Sequence, residues 1–155
     1  MGTREEVYQL MAKKYISLDV LPATLIEPLE VTSVATGHYN CIAWALENTN
    51  LFYWTGPKEF FYWPDNLPRE ETIDSFVQLF LLHGFEICSN ALKEKGFIKI
   101  ALFAKDNIPT HAARQLPNGL WTSKLGILED VRHSLSAISG GIYGSVVVVM
   151  KRKSQ

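Results

Sequence analysis

One of the two cysteines in the chain stands where a helix is predicted to begin. Cys41 follows Asn40, a typical helix N-cap residue, and precedes an apolar stretch that runs to Asn48. The first turn of a helix favours a thiolate, because unpaired backbone N–H groups and the helix dipole stabilise negative charge. The position predicts a nucleophilic Cys41, with a buried structural cysteine as the alternative. Asn40 is also a candidate donor for an oxyanion site beside it, with a helix cap alone as the alternative.

A nucleophilic thiol needs a general base, and His111 is the candidate. It lies in the segment Thr-His-Ala-Ala-Arg-Gln-Leu, which runs into the turn Pro-Asn-Gly at 117–119. Asn-Gly predicts a hairpin, so residues 110–116 and 120–125 are expected to pair antiparallel. Because side chains alternate along a strand, His111 and Ser123 fall on one face. The same face carries Ala113, Gln115, Trp121 and Leu125. A surface histidine on an amphipathic hairpin is the alternative.

Three residues are candidates for orienting the His111 ring. Ser123 is predicted to lie diagonally across the hairpin, and Gln115 lies beside His111 on the same strand face. Asp130 follows the hairpin and, on a helix, shares a face with His133. The set of His111, Asp130 and His133 also permits a metal-dependent hydrolase, with two imidazoles and one carboxylate as ligands. The main interpretation contains no metal and no other cofactor.

Residues 51–68 combine many aromatic side chains with glycine and proline at irregular spacing, which predicts a structured aromatic loop. Trp63 in this loop, with Trp44 and Trp121, is predicted to line a substrate groove. Completion of the core through the loop is the alternative.

The order of a helix-start cysteine, a histidine strand and a polar residue on the next strand resembles the NlpC-type papain-like cysteine peptidases and amidases. The resemblance covers mainly residues 38–48 and 97–126. Where those enzymes carry Asp-Cys-Ser-Gly around the nucleophile, this chain has Asn-Cys-Ile-Ala at 40–43, and their third residue falls on Ser123. The resemblance implies a papain-like fold, with Cys41 as nucleophile and His111 as base.

A closer resemblance, over nearly the whole chain, is to a bacterial family known as a domain of unknown function. It rests on Asn-Cys-Ile-Ala-Trp-Ala-Leu at 40–46, Tyr-Trp-Pro at 62–64, Thr-His-Ala-Ala-Arg-Gln-Leu at 110–116 and Trp-Thr-Ser-Lys-Leu-Gly at 121–126. The resemblance supports one domain over residues 1–155 and implies no substrate.

The candidate site residues lie on predicted helices that come first in the chain and on a run of predicted strands that follows. A first helix is predicted from Thr3 to about Tyr15, followed by a lead-in to residue 36 that is mostly loop. Further helices are predicted over 41–48 and from Thr72 to Gly84. Strands are predicted over 85–88, 97–104, 110–116, 120–125 and 142–152, with residues 151–155 as a solvated tail. The predicted class is α+β, an antiparallel sheet with helices packed largely on one face.

The composition excludes several kinds of function. The chain has 155 residues, 47% of them hydrophobic, and a formal net charge of -1, so no basic stripe is available for nucleic acid. Its apolar runs are too short to cross a bilayer, and its acidic N-terminus is unlike a signal peptide, so the prediction is a cytoplasmic protein without membrane contact.

The sequence thus predicts a cysteine-dependent hydrolase or acyltransferase. Cys41 attacks an amide or thioester carbonyl of a small peptide, amide or acyl substrate, while His111 accepts and returns the proton. The alternative is a non-catalytic binding or interaction module that holds a partner through the aromatic loop at 52–63.

Overall fold

The computed structural model describes residues 11, 12, 16 and 29–154. The elements in chain order are β1 (Leu29–Val31), α1 (Cys41–Ala45), α2 (Ile73–Leu82), β2 (Glu86–Cys88), β3 (Phe97–Lys105), β4 (Ile108–Gln115), β5 (Trp121–Lys124), β6 (Asp130–His133), a 3-10 turn (Leu135–Ile138) and β7 (Ser145–Lys153). The predicted first helix lies almost wholly outside the described residues. The end of the lead-in, predicted as loop, contains β1.

The seven strands form one sheet in the order β1-β6-β5-β4-β3-β7-β2, and every neighbouring pair is antiparallel. Two short helices, α1 and α2, accompany it in residues 29–154. The α+β papain-like prediction is therefore wrong, because the fold is β-rich and, over residues 29–154, only these two short helices accompany the sheet. The chain after Leu125 returns as strand β6, where helical spacing was expected.

Both faces of the sheet are buried, each by its own apolar cluster. The first cluster joins α1 and α2 to Ile100, Leu102 and Ala112. The second cluster contains Ala101, Phe103 and Ala113 on the opposite face. Since alternate residues of β3 and β4 enter different clusters, these two central strands are buried on both sides.

Both described helices begin at the residues that the sequence predicts. The Asn40 side chain accepts a hydrogen bond from the Ala43 amide, and the Thr72 side chain accepts one from the Ser75 amide. Helix α1 is shorter than predicted and ends at Ala45. Neither α1 nor α2 has the length and apolar character needed to cross a bilayer.

The hairpin around Asn118-Gly119 forms in the predicted register, but it is short. Gln115 pairs with Trp121 and Arg114 pairs with Thr122, and there the β4–β5 ladder ends. Strand β5 pairs along its whole length with β6 instead. The expected neighbours His111 and Leu125 are therefore not paired by this ladder.

The C-terminal residues belong to the sheet. Lys151, Arg152 and Lys153 are part of β7 and pair with Lys99, Ile98 and Phe97 of β3. The solvated tail expected at 151–155 thus has no counterpart over 151–153, and Arg152 becomes available to a site at this end of the sheet.

Candidate functional site

Asn40 is fully engaged in holding the start of α1. Its Oδ1 accepts hydrogen bonds from the amides of Ala43, at 3.2 Å, and Tyr53, at 3.1 Å. Its Nδ2 donates to the Tyr53 carbonyl at 2.5 Å. The amide predicted for an oxyanion site instead binds the aromatic loop to α1.

The Cys41 thiol is buried in the first cluster, with 5% of the residue exposed. Burial raises the pKa of the thiol to about 11, although hydrogen bonds from backbone amides, that of Ala112 first, act in the opposite direction. The helix start supplies the expected N–H groups, which lower the pKa of the thiol, but the loss of contact with water raises it by more. Near neutral pH the group is a thiol.

The His111 ring is buried among aromatic side chains. It stacks on Tyr143 with centroids 4.1 Å apart and planes inclined by 14°, and it meets Phe103 at 5.5 Å. Neither ring nitrogen has a hydrogen-bond partner among the described residues. Burial, and then the nearby His133, lower the pKa of His111 well below 6.5, so the ring is neutral.

No hydrogen bond joins Cys41 and His111 among the described residues, and the two side chains have different packing neighbours. Cys41 lies in the first cluster with Ala112, the residue that follows His111. His111 pairs with Phe103, a member of the second cluster. The alternation of strand side chains directs His111 and Ala112 to opposite faces of β4.

Ser123 is hydrogen-bonded to a different histidine from the one predicted. Its Oγ lies 2.7 Å from Nε2 of His133, and Nδ1 of His133 lies 2.6 Å from the Ser134 carbonyl. Because the carbonyl needs a donor, Nδ1 carries the proton and Nε2 accepts from Ser123. Burial lowers the pKa of His133 to about 4. Sequence reasoning missed this pair because it placed 130–133 on a helix.

The other predicted orienting residues also face elsewhere. Gln115 donates to the Ala91 carbonyl at 2.9 Å, and Asp130 accepts from the Tyr39 hydroxyl at 2.6 Å. Residues three apart on a strand point to opposite faces, so Asp130 and His133 do not converge. No group of three possible metal ligands is found over the described ranges.

The three tryptophans do not line one groove. Trp44 donates to the Thr122 hydroxyl at 2.9 Å, and Trp63 donates to the Pro68 carbonyl at 2.9 Å. Trp121 packs in the second cluster, across the sheet from both. In the aromatic loop, Phe60 is exposed, whereas Tyr53 and Trp63 are buried in the first cluster.

A cleft of about 620 Å³ lies where β4 and β7 end and β3 begins. Its lining includes four cationic side chains: Lys93, Arg114, Arg152 and Lys153. Among the described lining residues, Glu47 is the single acidic one. The lining also includes His83, whose pKa is lowered by burial and by the charge of Arg152, so its ring adds no positive charge near neutral pH.

Sheet register brings the two arginines of the cleft to one face. Arg114 is paired with Ile100, and Arg152 is paired with Ile98, two residues away on the same strand. Glu47 follows the short helix α1 and reaches both guanidinium groups. Its Oε1 lies 3.3 Å from Nη1 of Arg114, and its Oε2 lies 3.6 Å from Nη2 of Arg152.

Sequence reasoning missed this cleft. It placed Arg114 on the hairpin face away from His111 and treated Arg152 as part of a tail. A signal was present, because a basic residue at the end of each of two strands predicts a basic cluster once both strands flank a third. The position of β4 and β7 on either side of β3 is a property of the sheet topology, which residue spacing does not encode.

The chain also matches a known family. The model of the Domain of unknown function (DUF7689) family matches residues 30–151. The chain belongs to this family. The match confirms the resemblance to a family without assigned function, whereas the resemblance to NlpC-type enzymes gains no support from it. Neither the curated proteins nor the solved structures contain a match to the chain.

Proposed function

We propose that this protein is a binding module whose basic cleft holds an anionic ligand through a carboxylate or phosphate group. The observation that carries the proposal is the pair of Arg114 and Arg152, which faces one cleft and shares a single carboxylate. Planar guanidinium groups match carboxylate and phosphate oxygens in bidentate geometry, which favours this class of ligand.

The size and charge of the cleft agree with such a ligand. A volume of about 620 Å³ lies within the range of roughly 300–1,000 Å³ typical of small-molecule sites. Four cationic side chains face one carboxylate on a chain whose formal net charge is -1. The cleft therefore carries an excess of positive charge, which attracts anions.

A cysteine-dependent hydrolase or acyltransferase remains a prediction that this geometry favours less. The mechanism requires a thiol within hydrogen-bond reach of a base. Cys41 has a raised pKa, and the His111 nitrogens have no hydrogen-bond partner among the described residues.

Isothermal titration of the protein with inorganic phosphate and with citrate, at low ionic strength, tests the proposal. We expect saturable binding, and we expect Arg152→Gln to weaken it by about 10-fold to 100-fold, the loss of one charge-assisted hydrogen bond. Lys58→Gln is the matched control, since it removes the same charge from an exposed residue of the aromatic loop. Absence of binding, or an equal loss in both variants, contradicts the proposal.

A further inference from the structure

We infer that Glu47 is a displaceable occupant of the arginine pair, whose carboxylate leaves Arg114 and Arg152 when the ligand's anionic group binds, and which thereby sets the affinity of the cleft. The inference rests on the proposed function and adds a residue that determines the affinity for the ligand. It follows from how the three side chains are held.

The two arginines are anchored without Glu47. Nε of Arg114 donates to the Trp44 carbonyl at 3.3 Å, and its guanidinium lies 5.3 Å from the centroid of the Trp44 ring. Nη1 of Arg152 donates to the His83 carbonyl at 3.0 Å, and its guanidinium lies 4.6 Å from the Phe85 centroid. Both groups are therefore preorganised, and removal of the carboxylate leaves them in place.

Glu47, in contrast, is held loosely. Its two contacts, at 3.3 and 3.6 Å, are longer than the roughly 2.7–2.9 Å of strong N–H···O⁻ bonds. Its side chain is 46% exposed, whereas that of Arg114 is 14% exposed. A free anion that fits between the guanidinium groups can approach both more closely than a carboxylate tethered to α1.

The backbone at Glu47 closes the end of α1. Glu47 has φ of 61°, in the left-handed region that glycine and asparagine favour at helix ends. Its amide donates to the Trp44 carbonyl at 3.0 Å, and the Asn48 amide donates to the Ala43 carbonyl at 2.8 Å. The helix end therefore explains the backbone conformation, and from this position the carboxylate reaches both arginines.

The charge balance in the cleft also favours replacement of the Glu47 carboxylate by a bound anion. One carboxylate is shared by two guanidinium groups. Burial lowers the pKa of Arg114, and the charge of Arg152 acts in the same direction, whereas the charge of Glu47 acts against both. A doubly charged anion such as phosphate neutralises the pair more completely than Glu47 does.

Titration with inorganic phosphate of the wild type, Glu47→Gln and Glu86→Gln tests the inference. We expect Glu47→Gln to bind about fivefold more tightly than the wild type, because one competing ion pair is lost. Glu86→Gln is the control, since it removes the same charge from an exposed residue of β2, next to β7. It is expected to change the affinity less than twofold. Glu47→Gly, which suits the positive φ, replaces Glu47→Gln if the latter does not fold.

The outcomes separate this inference from the proposed function. If the wild type binds phosphate and the Glu47 variant binds no more tightly, or if both glutamate variants gain equally, the role of Glu47 is overturned while the cleft stays a binding site. If no variant binds phosphate or citrate, both are overturned. A crystal structure of the phosphate complex with Glu47 still within 4 Å of both arginines also overturns the inference.

Discussion

The side chain of Asn40 pairs with the backbone of Tyr53 as a neighbouring strand would, by donating to its carbonyl and accepting from its amide. The same oxygen also caps α1 through the Ala43 amide. Because Asn40 and Tyr53 are both buried, these bonds replace water contacts that the folded chain excludes. One residue therefore fixes α1 and the aromatic loop together.

Asn40→Asp is expected to destabilise the protein by about 1–3 kcal/mol, because the variant keeps the cap but leaves the Tyr53 carbonyl without its donor. Asn40→Ala is expected to cost about 1 kcal/mol more, the typical value of a lost N-cap. Urea unfolding of both variants measures the difference. Equal stability of Asn40→Asp and wild type contradicts the pairing.

The two cysteines are expected to react at different rates with iodoacetamide. Cys41 is buried with a pKa raised to about 11, so at pH 8 it reacts slowly in the folded protein. Cys88 is partly exposed and is expected to react first. Mass spectrometry of wild type, Cys41→Ala and Cys88→Ala after timed labelling distinguishes them. Faster labelling of Cys41 than of Cys88 would contradict this expectation and support a catalytic thiol at Cys41.

Stability is expected to fall with acid between about pH 6.5 and 4. His133 has its pKa lowered to about 4, and that of His111 is lowered as well, both mainly by burial. In this window the unfolded chain takes up protons that the folded chain does not, so each histidine removes about 1.4 kcal/mol per pH unit. His111→Phe, which keeps a ring against Tyr143, is expected to reduce this slope by about half. Urea unfolding at several pH values measures the slope, and an unchanged slope contradicts a neutral buried His111.

Gly144 is expected to be intolerant of substitution. A Cβ there lies 2.1 Å from the Ala104 carbonyl oxygen, and its φ of 75° is already unfavourable for alanine. Gly96 has a φ of 84° with open space around it, which makes Gly96→Ala a matched control. We expect about 1–2 kcal/mol for Gly96→Ala and at least about 1 kcal/mol more for Gly144→Ala. Thermal unfolding compares them, and equal losses contradict the close approach of residue 144 to β3.

Local signals predicted the local structure well. Asn40 and Thr72 begin the two helices as expected, and Asn118-Gly119 forms the predicted turn with Gln115 opposite Trp121. Each of these depends on contacts within a few residues, which side-chain chemistry specifies directly.

The sheet and the sites could not be predicted in the same way. Asp130 and His133 fit a helical spacing, yet pairing with β5 makes them a strand and sends them to opposite faces. Whether a short segment becomes helix or strand was decided by neighbours distant in sequence. The same non-local pairing brought Arg114 and Arg152 to one cleft.

The most direct measurement is the Nε–Hε region of the ¹H–¹⁵N spectrum during titration with inorganic phosphate, with signals assigned through Arg114→Lys and Arg152→Lys. We expect the signals of Arg114 and Arg152 to shift together and to saturate, while that of Arg69, which binds carbonyls in the aromatic loop, stays in place. Signals that do not move, or a uniform drift of all arginines with ionic strength, would contradict an anion site in this cleft.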